Sequence, residues 1–204
     1  MKGKTYSPPL LKVHPYVDTD TTKGNSWSDF QISDILLNML YEEVFRKLDD
    51  KNVKYSVAGG VALVLHGVVR LTADIDLIVE MSTENLQKFI AVMNDLGYRP
   101  KPPVKAEDFI NPLNRKAWKE EKGMEVFSFY HPVKPMNLVD VFIDEPISFD
   151  EIEREVVIFE ARGIKIPVIS KKHLIFLKNK AHRPQDIADI EALEALEQMG
   201  NKDE

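Results

Sequence analysis

The sequence predicts an α/β protein, a mixed β-sheet covered by helices. Three observations carry that expectation. Two early strand-like runs, 52–58 and 74–79, are separated by an apolar stretch of helical character. Two further runs, 124–130 and 138–143, flank the turn-prone HPVKP. Runs at 155–160 and 164–168 form a hairpin pattern about Arg162-Gly163, and two helices close the chain.

Residues 1–30 carry Pro8, Pro9, Pro15 and Gly24 among several Ser and Thr, the mixture of an extended, weakly periodic arm. Ser28 followed by Gln31 fits a capping box, and Ile32, Leu36, Met39, Leu40, Val44 and Leu48 recur at helical spacing, which predicts a helix over 32–50. The strand 52–58 ends at Gly59-Gly60, a pair that lets the chain turn sharply into a helix through Val68. In 74–79, acid and aliphatic residues alternate before the run becomes fully apolar, as in a strand with one polar face. Ser82 opens an amphipathic helix bearing Leu86, Phe89, Ile90 and Met93, with Gly97 near its stop. The polar, proline-containing stretch 100–122 is expected as a long loop with a short helix over 112–120. Helices at 170–181 and 184–198 follow the hairpin, the second opened by Pro184 in its first turn. The chain divides into an arm (1–30), a core (31–150) and a hairpin-and-helix segment packed on it (151–204).

Composition limits function. With 204 residues, 44% hydrophobic and 29% charged, the chain can bury a substantial core. A net charge of -6 and a pI near 5.5 argue against a protein that coats nucleic acid by charge alone. The absence of cysteine excludes disulfides and thiolate zinc sites. The start MKGKTYSPPLLKV lacks the apolar core of a secretory signal, and no run approaches the roughly 18 apolar residues of a membrane span, so no membrane partner and a cytoplasmic location are expected.

The chemistry concentrates in VAGGVALVLHGVVRLTADIDLIVE, beginning at Val57. Asp74 and Asp76 leave one face of a strand with α-carbons roughly 6.5–7 Å apart. Two like charges held together need solvent, a raised pKa or a divalent cation, and magnesium favours one or two carboxylates plus substrate phosphates. The bland reading is a polar sheet face meeting water. Three neighbours weigh against it. Gly59 and Gly60 lie where small residues let phosphate approach backbone amides. Asp140 interrupts the apolar run LVDVFI with a third carboxylate. The segment KKHLIFLKNKAHR holds five Lys or Arg and no acid, and its Leu174, Leu177, Lys178 and Ala181 follow a buried helical stripe. Lys178 therefore points inward, toward an anionic ligand or one of the aspartates, unless it snorkels. His66 reads as a hydrogen-bonded interior or boundary histidine rather than a ligand.

These residues resemble the DNA polymerase beta-like nucleotidyltransferase superfamily, whose signature is an apolar residue, Gly, then Gly or Ser, a spacer, an Asp-apolar-Asp pair and a later third acid. Here it reads Ala58-Gly59-Gly60, the thirteen residues Val61 to Ala73, Asp74-Ile75-Asp76-Leu77, and Val139-Asp140-Val141. The same string, with KNKAHRPQDIADI, is similar to the branch of nucleotidyltransferase-type toxins of abortive-infection systems, AbiEii/AbiGii-like, whose late motif maps onto Lys178, Arg183, Asp186 and Asp189. The resemblance covers 53–144 and 170–190. It implies a nucleotidyltransferase-type sheet and transfer of a nucleoside monophosphate from an NTP to an acceptor hydroxyl. It also implies magnesium, or manganese, on Asp74, Asp76 and Asp140, with phosphates on Gly59, Gly60, Lys178 and Arg183. Thr72 either supplies a hydroxyl that Gly60 lacks or simply opens the strand. Arg70 either touches phosphate or forms a surface ion pair. Asp186 is a minor candidate, since an acid is favoured in the first helical turn in any case. The acceptor, whether RNA, protein or small molecule, is not specified. The alternatives are a toxin with an antitoxin partner and a nucleotide-binding regulator without catalysis.

Overall fold

The structure is a computed structural model that describes residues 41–161 and 163–200. The expected arm, the Ser28–Gln31 box and the first turns of the 32–50 helix lie outside the described residues, as does Arg162. In chain order the elements are α1 (Glu42–Asp50), β1 (Tyr55–Ala58), α2 (Gly59–Leu65), β2 (Asp74–Val79), α3 (Thr83–Asp95), β3 (Arg99–Pro100) and α4 (Pro112–Lys122). They continue with β4 (Val126–Tyr130), β5 (Leu138–Phe142), α5 (Phe149–Glu155), β6 (Val157–Ala161), β7 (Ile164–Val168), α6 (Lys171–Ala181) and α7 (Pro184–Gly200).

All seven strands join one mixed sheet in the order β3-β4-β5-β2-β1-β7-β6. β2 runs parallel to β5 and β1 parallel to β7, and the other pairings are antiparallel. Period-two alternation sets the two faces of the sheet. Ile75, Leu77, Val139, Val141, Phe127 and Phe129 are fully buried on one face, while Asp74, Asp76, Asp140 and Ser128 are half-buried on the other. The buried face is covered by α3, whose Phe89 meets Phe129 edge to face at 5.8 Å. It is also covered by a 3-10 turn at Ala106–Ile110, whose Phe109 lies 5.0 Å from the Phe127 ring, and by α4, whose Trp118 lies 5.3 Å from it.

Local chemistry fixes the helix starts. Ser82 accepts the Asn85 N–H and Ser170 the His173 N–H, while Asn111 caps α4 ahead of Pro112. The buried Asn85 side chain in turn accepts the Lys54 N–H and donates to the Lys54 and Glu80 carbonyls, tying α3 to the ends of β1 and β2.

Two expectations need correction. The 100–122 stretch is mostly helical, because Ala106 and Phe109 anchor the 3-10 turn in the core and α4 extends two residues past its expected end. The hairpin starts at Val157 rather than 155, because buried Phe149 and Ile152 fold 149–155 into α5.

Candidate active site

The parallel pairing of β2 with β5 sets Asp76 opposite Asp140 and Asp74 opposite Leu138. All three carboxylates therefore lie on one face of adjacent strands. Burial first, then the charges of Asp74 and Asp140, pushes the Asp76 carboxyl up to about 7, against the pull of the Gly60 N–H and of Lys178. Asp140 is also raised, chiefly by burial and then by Asp74, while a Ser128 hydrogen bond and nearby Lys101 draw it down. Among the described residues no group of three or more Asp, Glu or His side chains is placed to hold a metal ion by itself.

The glycine pair makes this arrangement fit. Ala58 pairs with Asp76, so α2 begins directly beside the carboxylate. Gly59 sits at φ +60, and a β-carbon there would overlap the Asp76 carboxyl. A β-carbon on Gly60 would come within 2.5 Å of the Thr72 hydroxyl oxygen. The Gly60 N–H donates to Asp76. Thr72 donates to the Asp74 carboxylate at 3.2 Å, which orients that carboxylate from the segment just before β2.

Beside the aspartates, α6 and α7 hold a buried ionic network. Lys178, 6% exposed, lies 2.6 Å from Asp189 and 3.2 Å from Asp186. Arg183 donates to Asp186 from its backbone, its Nε (2.7 Å) and its Nη2 (3.2 Å). Against the burial that would raise it, Asp186 is held down to about 2 by hydrogen bonds from Arg183 and Lys178. Arg70 completes the network through an ion pair with Asp189. Three cations thus face two carboxylates, and the excess positive charge lies where Lys178 acts on Asp76 and Asp76 acts on Arg183.

The structure gathers Asp74, Asp76, Asp140, Gly59, Gly60 and Thr72 at one place, with Lys178, Arg183, Asp186 and Arg70 in the adjoining network. Of the two settings open to Arg70, it occupies an ion pair, partly buried rather than on the surface. Lys178 is engaged by α7 carboxylates. His66 bonds the Ile169 carbonyl at 2.8 Å, and its pKa is lowered by burial.

Two positions went unread in the sequence. Tyr41 donates to the Ala73 and Leu138 carbonyls and accepts the Leu138 N–H, pinning together the ends of β2 and β5 where Asp74 sits. Ser128 bonds Asp140. Its signal was present in VFSFY, where a polar residue sits between two phenylalanines and so shares the polar face of β4. A separate cleft of about 390 Å³, lined by Met81, Arg115, Lys119, Ile143 and Asp144, opens past the far ends of β2 and β5, away from the aspartates.

No family model matches the chain, and no curated protein matches it in sequence. Its fold is similar to the solution structure of the antibiotic-resistance factor ANT(2'')-Ia, at 17% identity over 78% of this chain and 83% of that chain, with a TM-score of 0.51. The fold is of the nucleotidyltransferase type. The lincosamide antibiotic adenylyltransferase LnuA, solved with lincomycin, is 21% identical over 75% of this chain and 95% of that one (TM-score 0.47). An antigenic nucleotidyltransferase-like protein from Paracoccidioides brasiliensis is 18% identical over 80% and 77% (TM-score 0.48). Among the described residues no helix is long and apolar enough to cross a membrane.

Proposed function

We propose that this nucleotidyltransferase-fold protein transfers a nucleoside monophosphate from an NTP to an acceptor hydroxyl. The observation that supports the reading most is the register that sets Asp76 against Asp140 with Asp74 on the same face. The donor set suits a hard divalent cation, since all three groups are oxygen ligands and the charges of Asp74 and Asp140 already strain the ionisation of Asp76. Two carboxylates plus substrate phosphates are enough for magnesium, so a closed protein cage is not required. Magnesium, or manganese, on Asp74, Asp76 and Asp140 would offset phosphate charge and polarise the α-phosphoryl group.

The chain's own residues do the rest. The acceptor oxygen attacks the α-phosphorus, the bond to the bridging α–β oxygen breaks, and pyrophosphate leaves with that electron pair. Asp140, raised by burial, takes the hydroxyl proton. Gly59 leaves room for the Asp76 carboxyl against the start of α2, Thr72 orients Asp74, and the net positive charge of the Arg70, Lys178 and Arg183 network attracts the triphosphate.

The test is incubation with each α-phosphate-labelled NTP, magnesium and an acceptor panel of RNA, protein and small molecules. Transfer that disappears in Asp74→Asn is expected. Tight NTP binding with no transfer to any acceptor would favour a nucleotide-binding regulator. A narrower reading, a toxin of the abortive-infection type with an antitoxin partner, is favoured by the drawing together of Lys178, Arg183, Asp186 and Asp189. It predicts growth arrest when the chain is expressed alone.

A further inference from the structure

The half-buried face bearing the aspartates continues past β5 onto β4 and β3. Asp140 pairs with Ser128 across β5 and β4, and the Lys101 N–H bonds the Ser128 carbonyl at 2.8 Å in the register that pairs Arg99 with Tyr130. Two rows cross the sheet on this face: Asp76, Asp140, Ser128 and Lys101, and beside it Asp74, Leu138, Tyr130 and Arg99. Strands lie about 4.8 Å apart, so the Lys101 α-carbon is roughly 10 Å from that of Asp140, and a lysine side chain shortens the gap by more than half.

The chemistry of this floor is specific. Arg99 and Lys101 are exposed, and among the described residues neither has an ion-pair partner or a side-chain hydrogen bond. Pro100, Pro102 and Pro103 stiffen the segment that presents them. Tyr130 offers a partly exposed ring, 36% accessible, between Arg99 and Leu138. The triphosphate-attracting network lies on the opposite flank, beside Asp76, which leaves the β4–β3 flank for the acceptor.

We propose that Arg99, Lys101, Ser128 and Tyr130 form the acceptor subsite, and that it takes a hydroxyl compound carrying a phosphate group. Lys101 and Arg99 hold the phosphate, Tyr130 supports the ring, and the hydroxyl lies at Asp140, a separation that fits within one sugar phosphate or nucleotide. Two exposed cations repel a polycationic acceptor such as tobramycin. The inference rests on the nucleotidyl-transfer reading. Lys101 also offsets the charge of Asp140, so a test must separate that effect from acceptor binding.

The experiment compares label transfer from NTP to four acceptors: a short RNA with a 3'-hydroxyl, a nucleoside monophosphate, the corresponding nucleoside without phosphate, and tobramycin. The first two distinguish a nucleic-acid end from a free phosphorylated metabolite as the source of the phosphate. Arg99→Ala/Lys101→Ala should raise acceptor KM at least tenfold for the phosphate-bearing compound while NTP KM changes less than twofold. Lys101→Arg should restore it. Equal use of the nucleoside or tobramycin, or an NTP KM that moves with the acceptor KM, overturns the subsite and leaves nucleotidyl transfer standing. Equilibrium binding of the labelled RNA and monophosphate without NTP gives an independent reading. Binding weakened tenfold by Lys101→Glu but not by Asp74→Asn supports the subsite even where transfer fails, and no phosphate-dependent binding overturns it.

Discussion

Gly59 packs directly against the Asp76 side chain. A β-carbon at Gly59 would have to adopt φ +60 and occupy the position of the Asp76 carboxyl. Left-handed backbone costs about 1–2 kcal/mol and overpacking about 1–3 kcal/mol, so Gly59→Ala should lower unfolding stability by about 2–5 kcal/mol in a urea titration. A loss below about 0.5 kcal/mol would mean that the turn is not required. Asp76 also sets a pH dependence. Its folded pKa of about 7 lies above the ordinary value near 3.9, so between those limits the folded state binds more protons than the unfolded one. Stability from this group is fully present below about pH 4 and falls as pH rises to about 7. Asp186, held at about 2, acts the other way, and its contribution is lost as pH falls from about 4 toward 2. In metal-free buffer the urea midpoint should decline between pH 4 and 7, and Asp76→Asn should flatten that decline. The aspartates and glycines were legible because their spacing is short and local. The burial that raises Asp76 was not, since it depends on strands far apart in sequence.

At the scale of elements, α6 and α7 are joined by charges that the core does not replace. Removing one partner of a buried pair costs about 3–5 kcal/mol, so Lys178→Met, which leaves Asp186 only Arg183 and Asp189 only Arg70, should be destabilising toward the lower end of that range in a urea titration. Asp189→Asn should instead weaken the Arg70 latch. Because Asp189 also pairs with Lys178, amide exchange should speed at least tenfold both in α6 and over residues 69–73. Unaltered exchange there would show that Arg70 does not anchor the segment that carries Thr72. Strand β2 was readable to the residue because it alternates acid and aliphatic side chains. β3 was not, being two residues long and containing a proline, which suits an edge and leaves no periodicity to detect. α5 was hidden by its charge, since two buried side chains, Phe149 and Ile152, hold an otherwise polar turn.

Across the whole molecule, the two aspartate-bearing strands β2 and β5 are brought together by contacts no local pattern announces. The sheet order places β2 between β5 and β1, sixty and more residues from one neighbour and adjacent in sequence to the other. Mixed α/β character was visible in the succession of elements. Strand order was not, because it follows from how apolar faces pair in three dimensions. The consequence is a site shared by distant segments, which should fold and bind as one unit. Titration of the full chain with manganese and a non-hydrolysable NTP analogue, followed by electron paramagnetic resonance, tests that claim most directly. Manganese-dependent binding of one nucleotide per chain, weakened at least tenfold by either Asp74→Asn or Asp140→Asn, is the predicted result. Equal affinity in those variants, or without the metal, would contradict it.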